Sequence, residues 1–288
     1  MNLIALTPVR NEAWILGASL RQTLKWCDEV IVLAHCCTDS TVDIVIDVAE
    51  EHAGRVHLIV EDNPNWAEMD HRQRLLEEAR KRRASHIAIV DADEILTENA
   101  IPGVRDRIGW LRPGDCANVG MPCIWRSLEQ YRTDPGIWAN RSDLSLAFAD
   151  HPNLRWQRDN GYDHHHRYPH GSVRTDIGHT IHGGVMHLQW ASWRRLVAKQ
   201  TWYQMMEVVK YPEKSPRDIA SDYSRAMDEK NLRLSSVPAE WWDETLKRYI
   251  DLAAASWHER ECERLLSVYG AARFAGLNLA NLEAAWSR

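Results

Sequence analysis

Short apolar runs alternate with amphipathic segments over roughly the first 95 residues of the chain. The apolar runs are LIALT, EVIVLA, RVHLIV and HIAIV, and each is typical of a buried strand. Between them, NEAWILGASLRQTLKWC, DSTVDIVIDVAEEHAG and AEMDHRQRLLEEARKRRA carry apolar residues at helical spacing. This alternation with short connections predicts right-handed βαβ units around a mostly parallel sheet. Ligands of such sheets bind beyond the carboxyl ends of the strands.

The periodicity changes after residue 100. ANVGMPCIW indicates one more strand and GGVMHLQW a last one, whereas residues 126–183 are weakly periodic and rich in Arg, Asp, His, Gly and Pro. From Ser192 onward the pattern is helical, interrupted by three prolines. We therefore expect an α/β domain over residues 1–190 and a helical region over residues 191–288.

Composition indicates a soluble globular protein, because 44% of the 288 residues are hydrophobic and 26% are charged. No run approaches the roughly 18 apolar residues of a membrane helix, and the N-terminus lacks the features of a signal peptide. The six cysteines contain no C-x-x-C spacing, which is typical of a reduced set. We expect a cytoplasmic protein without a membrane partner. The net charge of −6 argues against a general nucleic-acid coat but leaves a local basic patch open.

The segment VDADE, residues 90–94, follows the fourth predicted strand directly. Unpaired carboxylates at the end of a core strand are costly to bury, so packing alone does not explain Asp91 and Asp93. Two carboxylates one residue apart can hold Mg²⁺ or Mn²⁺ and leave positions on the ion for phosphate oxygens. The alternative is a helix cap or a salt-bridged surface turn, since D-x-D spacing is common by chance.

Three segments, TPVRNEAWIL, DEVIVLAHCCTDSTVDI and IAIVDADEIL, together resemble nucleotide-sugar glycosyltransferases of the GT-A fold, close to family 2. The resemblance is strong over residues 1–100 and looser at VMHLQW. It implies a Rossmann-like, mostly parallel sheet flanked by helices. It also implies a nucleoside-diphosphate sugar as donor, with UDP as the default nucleotide, and Mn²⁺ or Mg²⁺ as cofactor.

The resemblance implies roles for individual residues. Those expected to contact the nucleotide sugar are Pro8, Arg10, Asn11, Glu12, Asp39, Arg72, Asp91 and Ala92. Asp91 corresponds to an acid that contacts the ribose or the metal, and Asp93 corresponds to the main metal ligand. The sequence departs from the family after the second strand, where Ala34 and His35 stand in place of acids, one of which reads uracil. His35 is a candidate to stack on the base or to hydrogen-bond it.

Histidine is concentrated in residues 162–190, which hold half of the chain's 14 histidines. A zinc site is one interpretation of this density. The side chains of three successive residues, His164–His166, point in different directions, however, so they can hardly all bind one ion. In the GT-A fold a late histidine on or beside the last strand often joins the metal site, and His187 in GGVMHLQW matches that position. The alternative for His187 is a core histidine whose hydrogen bonds are satisfied.

Other residues are candidates for the acceptor side of the site. They are His164, His166, His182, Trp193 and Arg194. Trp and Arg together suit stacking on a sugar, phosphate or base, although a core position explains Trp193 equally well. An inverting transfer needs a general base on the acceptor hydroxyl. Asp176 and Asp163 are the candidates for that base, and Asp143 and Asp150 are reserve candidates.

The interpretation that explains most features is metal-dependent transfer of a sugar from a nucleoside-diphosphate sugar to a hydroxyl of a glycan or small metabolite. A hydroxymethylated base in DNA is an alternative acceptor. Nucleotidyl transfer is an alternative reaction, but TPVRNEAW lacks the Gly-rich phosphate loop typical of that class. A module that binds nucleotide sugars without turnover is the non-enzymatic alternative.

Overall fold

The computed structural model describes residues 1–134, 141–157, 167–176, 183–277 and 279. Two compact units divide the chain and interleave along it. Unit 1 comprises Met1–Pro122, Asn140–His187 and Pro238–Asp251, and unit 2 comprises Cys123–Ala139, Leu188–Val237 and Leu252–Arg288. The expected division at residue 190 into two domains stays a prediction.

The described residues form strands and helices in alternation over the first part of the chain. The strands are β1 Leu3–Val9, β2 Glu29–His35, β3 Val56–Glu61, β4 His86–Ile89, β5 Glu94–Leu96, β6 Asp115–Met121, β7 Gln130–Arg132, β8 Arg141–Ala149, β9 Val173–Asp176, β10 Val185–His187 and β11 Leu234–Ser236. The α-helices are α1 Leu16–Thr23, α2 Thr41–Glu51, α3 Glu68–Lys81, α4 Ile101–Gly109, α5 Trp193–Lys210, α6 Pro216–Ser224 and α7 Trp257–Tyr269. Within the described ranges, no helix has both the length and the apolarity needed to cross a membrane.

Seven strands of unit 1 form one sheet, in the order β3-β2-β1-β4-β8-β6-β9. β3, β2, β1 and β4 are parallel neighbours, and β6 is parallel to β9. β8 is antiparallel to both of its neighbours, β4 and β6. The predicted α/β class, with a mostly parallel sheet flanked by helices, is therefore confirmed, and the arrangement is consistent with the GT-A fold.

Alternate side chains of β1 reach two apolar clusters, one on each face of the sheet. Leu3 and Ala5 belong to a cluster that includes residues of α1 and α2. Ile4 and Leu6 belong to a second cluster, which includes residues of α3. Successive side chains of a strand point to opposite faces, so both faces of β1 are covered. This double coverage explains why β1 is a continuous apolar run and not an alternating one.

The last predicted strand, β10, forms outside the seven-stranded sheet. It pairs antiparallel with the short strand β5, with His187 opposite Glu94 and Val185 opposite Leu96. β5 begins at the end of the VDADE segment, so this pairing places the end of β10 beside the acidic residues. The VDADE segment and the segment that contains His187 are therefore joined by a two-stranded sheet.

Unit 2 contains α5, α6 and α7 together with a two-stranded sheet of β7 and β11. Its apolar core includes Val197 and Met205 of α5, Cys262 of α7, and Phe274. β11 is a local exception to the helical pattern predicted from Ser192 onward. All three of its residues are exposed, so the strand carries no apolar periodicity that a sequence pattern reveals.

Candidate functional site

The VDADE segment forms a tight turn between β4 and β5, at the carboxyl end of β4. The backbone N–H of Asp91 donates to Oε2 of Glu94 (3.1 Å), and the N–H of Glu94 donates to the carbonyl oxygen of Asp91 (3.1 Å). Asp93 and Glu94 are buried, whereas the Asp91 side chain is 32% exposed. Three carboxylates within four residues, two of them buried, require nearby positive charge.

Two guanidinium groups hold the Asp91 carboxylate. Nη2 of Arg72 donates to Oδ1 (3.0 Å), and Nη1 of Arg167 donates to Oδ2 (2.8 Å). Burial opposes ionisation of Asp91, but the charges of Arg72 and Arg167 outweigh it and lower the pKa of the carboxyl group. Arg167 also donates to both carboxylate oxygens of Glu94. Burial nevertheless raises the pKa of Glu94.

β10 brings His187 next to Asp93. Nε2 of His187 lies 3.5 Å from Oδ1 of Asp93, and the two side chains are 17% and 10% exposed. The backbone N–H of His187 donates to the carbonyl oxygen of Pro122 (3.2 Å), which holds the end of β10 in place. Two of the three residues predicted as metal ligands therefore meet at the carboxyl end of β4.

Gly183 and Gly184 precede β10 and allow it to approach its neighbours closely. Both have positive φ angles, 118° and 132°. A Cβ atom on Gly184 would lie 2.0 Å from the carbonyl oxygen of Gly120, a distance that no side chain tolerates. The carbonyl oxygen of Gly184 accepts a hydrogen bond from the N–H of Thr97 (2.8 Å). Because Gly183 and Gly184 carry no side chains, the chain can approach Gly120 and Thr97 closely, and this close approach sets the position of His187.

Asn11 links the loops that follow β1 and β2. Its Oδ1 accepts hydrogen bonds from the backbone N–H groups of Thr38 (2.7 Å) and Asp39 (3.3 Å). Its φ of 55° lies in the left-handed region, which Asn tolerates better than most residues. The Asp39 carboxylate accepts from the N–H groups of Thr41 (3.0 Å) and Ala13 (3.2 Å). Asn11 and Asp39, predicted to contact the nucleotide, hold these two loops together.

The other residues predicted to contact the nucleotide sugar lie in the same region of unit 1. Pro8 is the penultimate residue of β1, and Ala92 is buried within the VDADE turn. The Glu12 carboxylate accepts the indole N–H of Trp14. Burial lowers the pKa of His35, and the nearby charge of Arg10 lowers it further.

Three aromatic rings meet at the carboxyl ends of β2 and β3. The ring centroids are 5.1 Å apart for His35 and Trp66, 5.0 Å for His35 and His71, and 4.9 Å for Trp66 and His71. Both imidazoles are buried, whereas Trp66 is 46% exposed. Burial lowers the pKa of His71 to about 4, so this imidazole is neutral at neutral pH.

The hydrogen bond of His35 determines which of its nitrogens carries the proton. Nε2 lies 2.7 Å from the carbonyl oxygen of Asn63, which can only accept, so Nε2 is the donor. In the neutral ring Nδ1 is then an acceptor, and the described residues supply no partner for it. Sequence reasoning identified His35 but missed Trp66 and His71. The available signal was the segment EDNPNW, which follows the third strand and contains Trp66.

Asp176, the first candidate for the general base, is the last residue of β9. β9 and β4 run in the same direction, so Asp176 and the VDADE turn lie at the same edge of the sheet. Two strands separate β9 from β4, which at roughly 4.8 Å per strand gives about 14 Å between them. The reserve candidates Asp143 and Asp150 form ion pairs with Arg174 and Arg80, at 2.8 Å in each case.

The predicted site residues Asp163, His164, His166 and His182 lie outside the described residues, and so does most of the histidine cluster behind the zinc interpretation. Trp193 and Arg194 belong to unit 2. Arg194 donates two hydrogen bonds to the Glu259 carboxylate (2.7 and 2.8 Å). The Trp193 ring packs 5.8 Å from the ring of Trp125 and 3.8 Å from the guanidinium of Arg126. These contacts stabilise unit 2, and the acceptor role of both residues stays a prediction.

Asp93 and His187 form a set of two metal-ligand groups. Among the residues that the structure describes, no three His, Cys, Asp or Glu side chains gather at separations that hold an ion. Two ligand atoms roughly 2.1 Å from one ion, at the roughly 90° angle of an octahedron, are about 3 Å apart. The observed 3.5 Å is close to that value. The pair therefore fits a cation whose remaining ligands are water and phosphate oxygens, and imidazole suits Mn²⁺ better than Mg²⁺.

A scan against protein-family models gives no match, and a search of curated proteins gives none. Solved structures with a similar backbone include S. aureus TarS 1–349 in complex with UDP, at 15% identity over 52% of this chain and 47% of that chain, with a TM-score of 0.36. A second structure of TarS 1–349 matches at 12% identity over 100% of this chain and 90% of that chain, with a TM-score of 0.43. The mannosyltransferase PcManGT from Pyrobaculum calidifontis, in complex with GDP-Man and Mn²⁺, matches at 17% identity over 99% and 86%, with a TM-score of 0.40.

Proposed function

We propose that this chain is a glycosyltransferase that uses a divalent cation to move the sugar of a nucleoside-diphosphate sugar to an acceptor hydroxyl. The observation that carries the proposal is the pair of Asp93 and His187, 3.5 Å apart at the carboxyl end of β4. The carboxyl ends of strands are where open α/β sheets bind ligands. A carboxylate–imidazole pair at this place suits a cation that also binds a diphosphate.

The proposed cation is Mn²⁺ or Mg²⁺, held by one carboxylate oxygen of Asp93 and one imidazole nitrogen of His187. When bound, such a cation neutralises the charge that develops on the departing diphosphate. Asp91 and Glu94 accept hydrogen bonds from Arg167, and Asp91 also accepts one from Arg72. These guanidiniums balance the outer carboxylates of the VDADE turn and keep their oxygens in fixed positions.

The aromatic cluster of His35, Trp66 and His71 supports a nucleobase site beside the cation site. Trp66 is 46% exposed and offers a ring face, and base–aromatic stacking contributes about 1–3 kcal/mol per base. Nδ1 of His35 is an acceptor suited to an N–H group of a base. Ala34 and His35 stand where the family resembled by the sequence has acids, so UDP is only the first nucleotide to test, before GDP and CDP.

Transfer with inversion requires a carboxylate that removes the proton of the acceptor hydroxyl while the new C–O bond forms and the diphosphate leaves. Asp176 is our first candidate because it lies at the same edge of the sheet as the VDADE turn. Asp163 is the second candidate. The proposed acceptor is a hydroxyl of a glycan or small metabolite.

The test is the release of nucleoside diphosphate from a panel of UDP-, GDP- and CDP-sugars in the presence of Mn²⁺. We expect one donor to be hydrolysed by the wild type. Removing an outer-shell partner of a metal commonly costs about 10–100-fold, so Asp93→Asn, which removes a proposed ligand, should cost at least about 100-fold. Asp115→Asn makes the same change of charge at the start of β6 and should leave the rate unchanged.

Other outcomes would assign the chain to another class. No hydrolysis and no thermal shift with any donor would refute the proposal. Tight donor binding without turnover, even with acceptor pools present, would indicate a binding module. Release of pyrophosphate from a nucleoside triphosphate would indicate nucleotidyl transfer. Mass spectrometry of glycan pools, metabolites and hydroxymethylated DNA after reaction would identify the acceptor.

A further inference from the structure

Arg167 is tied into the site through all three of its guanidinium nitrogens. Nε donates to the carbonyl oxygen of Ser145 (2.8 Å), and Nη2 donates to that of Ile89 (2.7 Å). Nη1 donates to Asp91 (2.8 Å) and to Glu94 (2.7 Å), and Nη2 reaches the second carboxylate oxygen of Glu94. The side chain is only 15% exposed. One residue therefore joins β4, β8 and the VDADE turn.

The guanidiniums at the VDADE turn are directed at its outer carboxylates. The side-chain bonds of Arg72 go to Asp91 and to Glu68 of its own helix. Those of Arg167 go to Asp91, to Glu94 and to backbone carbonyls. Both oxygens of Asp91 are therefore engaged by positive charge, whereas Asp93, the middle carboxylate, lies beside His187.

We propose that Arg167 is a positioning residue that, together with Arg72, keeps Asp91 in ion pairs, so that the cation is bound by Asp93 and His187 without Asp91. This inference rests on the proposed function, because it presupposes a cation at the pair of Asp93 and His187. It narrows the predicted ligand set from three residues to two. With two protein ligands the ion keeps more coordination positions for diphosphate oxygens.

A purely structural role for Arg167 would account for the same contacts, because its loss would leave Glu94 buried without a counter-charge. The two roles differ in their effect on Asp91. If Arg167 holds Asp91 away from the ion, removing Arg167 frees Oδ2 of Asp91 to bind the ion, while Arg72 still contacts Oδ1. Mn²⁺ affinity then depends on Asp91 more strongly than it does in the wild type. If Arg167 is only structural, changing Asp91 has no larger effect on Mn²⁺ affinity without Arg167 than with it.

A double-mutant cycle with Mn²⁺ alone as the probe distinguishes these roles. The dissociation constant of Mn²⁺ is measured from the electron paramagnetic resonance signal of the free ion. The full chain is used as wild type, Asp91→Asn, Arg167→Met and the double variant. We expect Asp91→Asn to weaken Mn²⁺ binding about tenfold more in the Arg167→Met background than in the wild type. Equal effects of Asp91→Asn in the two backgrounds would overturn the proposal. The loss of the Asp91 charge does not bias this comparison, because Asp91→Asn removes the same charge in both backgrounds.

Two variants control for folding. Arg80→Met removes another arginine of unit 1 that makes a similar set of bonds, to Asp150 and to the carbonyl oxygens of His151 and Leu154. It should lower the thermal stability without changing the effect of Asp91→Asn. Arg167→Gln also removes the charge but keeps a polar side chain, and it replaces Arg167→Met in the cycle if that variant does not fold.

A comparison in the wild-type background needs no Arg167 variant. Asp93→Asn and Asp91→Asn remove the same charge, and we expect Asp93→Asn to weaken Mn²⁺ binding at least about tenfold more. Equal losses would make Asp91 a direct ligand and overturn the positioning role. If neither variant changes Mn²⁺ binding, the cation site itself is wrong, and the proposed function fails together with it.

Discussion

Nε2 of His187 lies 3.5 Å from Oδ1 of Asp93 because β10 pairs with β5 and places His187 opposite Glu94. The two residues are far apart in the sequence, and no local pattern connects them. Their meeting depends on the glycines before β10 and on the hydrogen bond from His187 to Pro122. The geometry of the proposed cation site therefore depends on the pairing of β10 with β5. Substitutions at His187 and at the preceding glycines test this dependence.

Replacing His187 with alanine should weaken Mn²⁺ binding at least about tenfold, because the cation loses one of its two protein ligands. Titration of the protein with Mn²⁺ measures the effect. His52→Ala changes a histidine that follows α2 and should leave the affinity unchanged. Unaltered Mn²⁺ affinity in His187→Ala would mean that His187 is only a core histidine.

Gly184→Ala should lower the free energy of unfolding by about 2–5 kcal/mol, because the new Cβ meets the Gly120 carbonyl at 2.0 Å and the φ of 132° suits only glycine. Gly103→Ala is the matched control, since its Cβ would meet nothing within 4 Å in α4. It should be neutral or stabilising by up to about 1 kcal/mol. Chemical denaturation measures both values, and similar effects of the two changes would contradict the close approach.

Stability should fall at acidic pH because of His71. Burial lowers its pKa from an ordinary 6.5 to about 4 in the folded state. Between these pH values the unfolded chain binds more protons, so the contribution of neutral His71 is present above pH 6.5 and is lost as the pH falls toward 4. His71→Phe keeps an aromatic ring and removes the titration. Between pH 6.5 and 5 the wild type should lose up to about 2 kcal/mol more than His71→Phe, and parallel curves would refute the explanation.

Trp66→Ala should weaken nucleoside-diphosphate binding about 5- to 100-fold, since it removes the exposed ring on which we place the base. Isothermal titration with UDP, GDP and CDP measures the loss. The melting temperature should change little, because Trp66 is 46% exposed. Trp110→Ala, at a residue that is 80% exposed after α4, is the control. Equal affinity in the wild type and Trp66→Ala would place the base elsewhere.

Breaking the buried ion pair of Arg132 and Asp134 should destabilise unit 2 more than breaking an exposed ion pair does. The two side chains are 2% and 5% exposed and lie 2.7 Å apart. Asp134→Ala removes the carboxylate that accepts two hydrogen bonds from the buried Arg132 guanidinium and should cost about 3–5 kcal/mol of unfolding free energy. Asp222→Ala breaks the pair with Arg225, whose partners are 72% and 70% exposed, and should cost less than about 0.5 kcal/mol.

The first four strands could be predicted because each strand and the helix that follows it are encoded by a short, continuous stretch of sequence. β1 to β4 are apolar runs separated by helices, and βαβ units have a restricted handedness and packing. The position of VDADE at the carboxyl end of β4 followed from the same pattern. The position of β10 could not be predicted from the pattern, because a strand of three residues shows no periodicity that indicates its partner strand.

The cluster of His35, Trp66 and His71 shows the same limit. His35 could be singled out because it ends the second strand, where the resembled family has an acid. Trp66 and His71 lie in a loop and in the first turn of α3, and the packing of α3 against the sheet brings their rings to 5.1 Å and 5.0 Å from the ring of His35.

Sequence periodicity determined the α/β class, the strands β1 to β4 and the acidic turn at the end of β4, because these features are encoded by residues close together in the chain. The tertiary structure decided which charged groups lie beside each carboxylate of that turn. The spacing of Asp91 and Asp93 does not show which groups surround each of them, but in the fold Arg72 and Arg167 contact Asp91, whereas β10 brings His187 to Asp93. Charge pairing of this kind depends on contacts between distant segments, and only the folded chain brings those segments together.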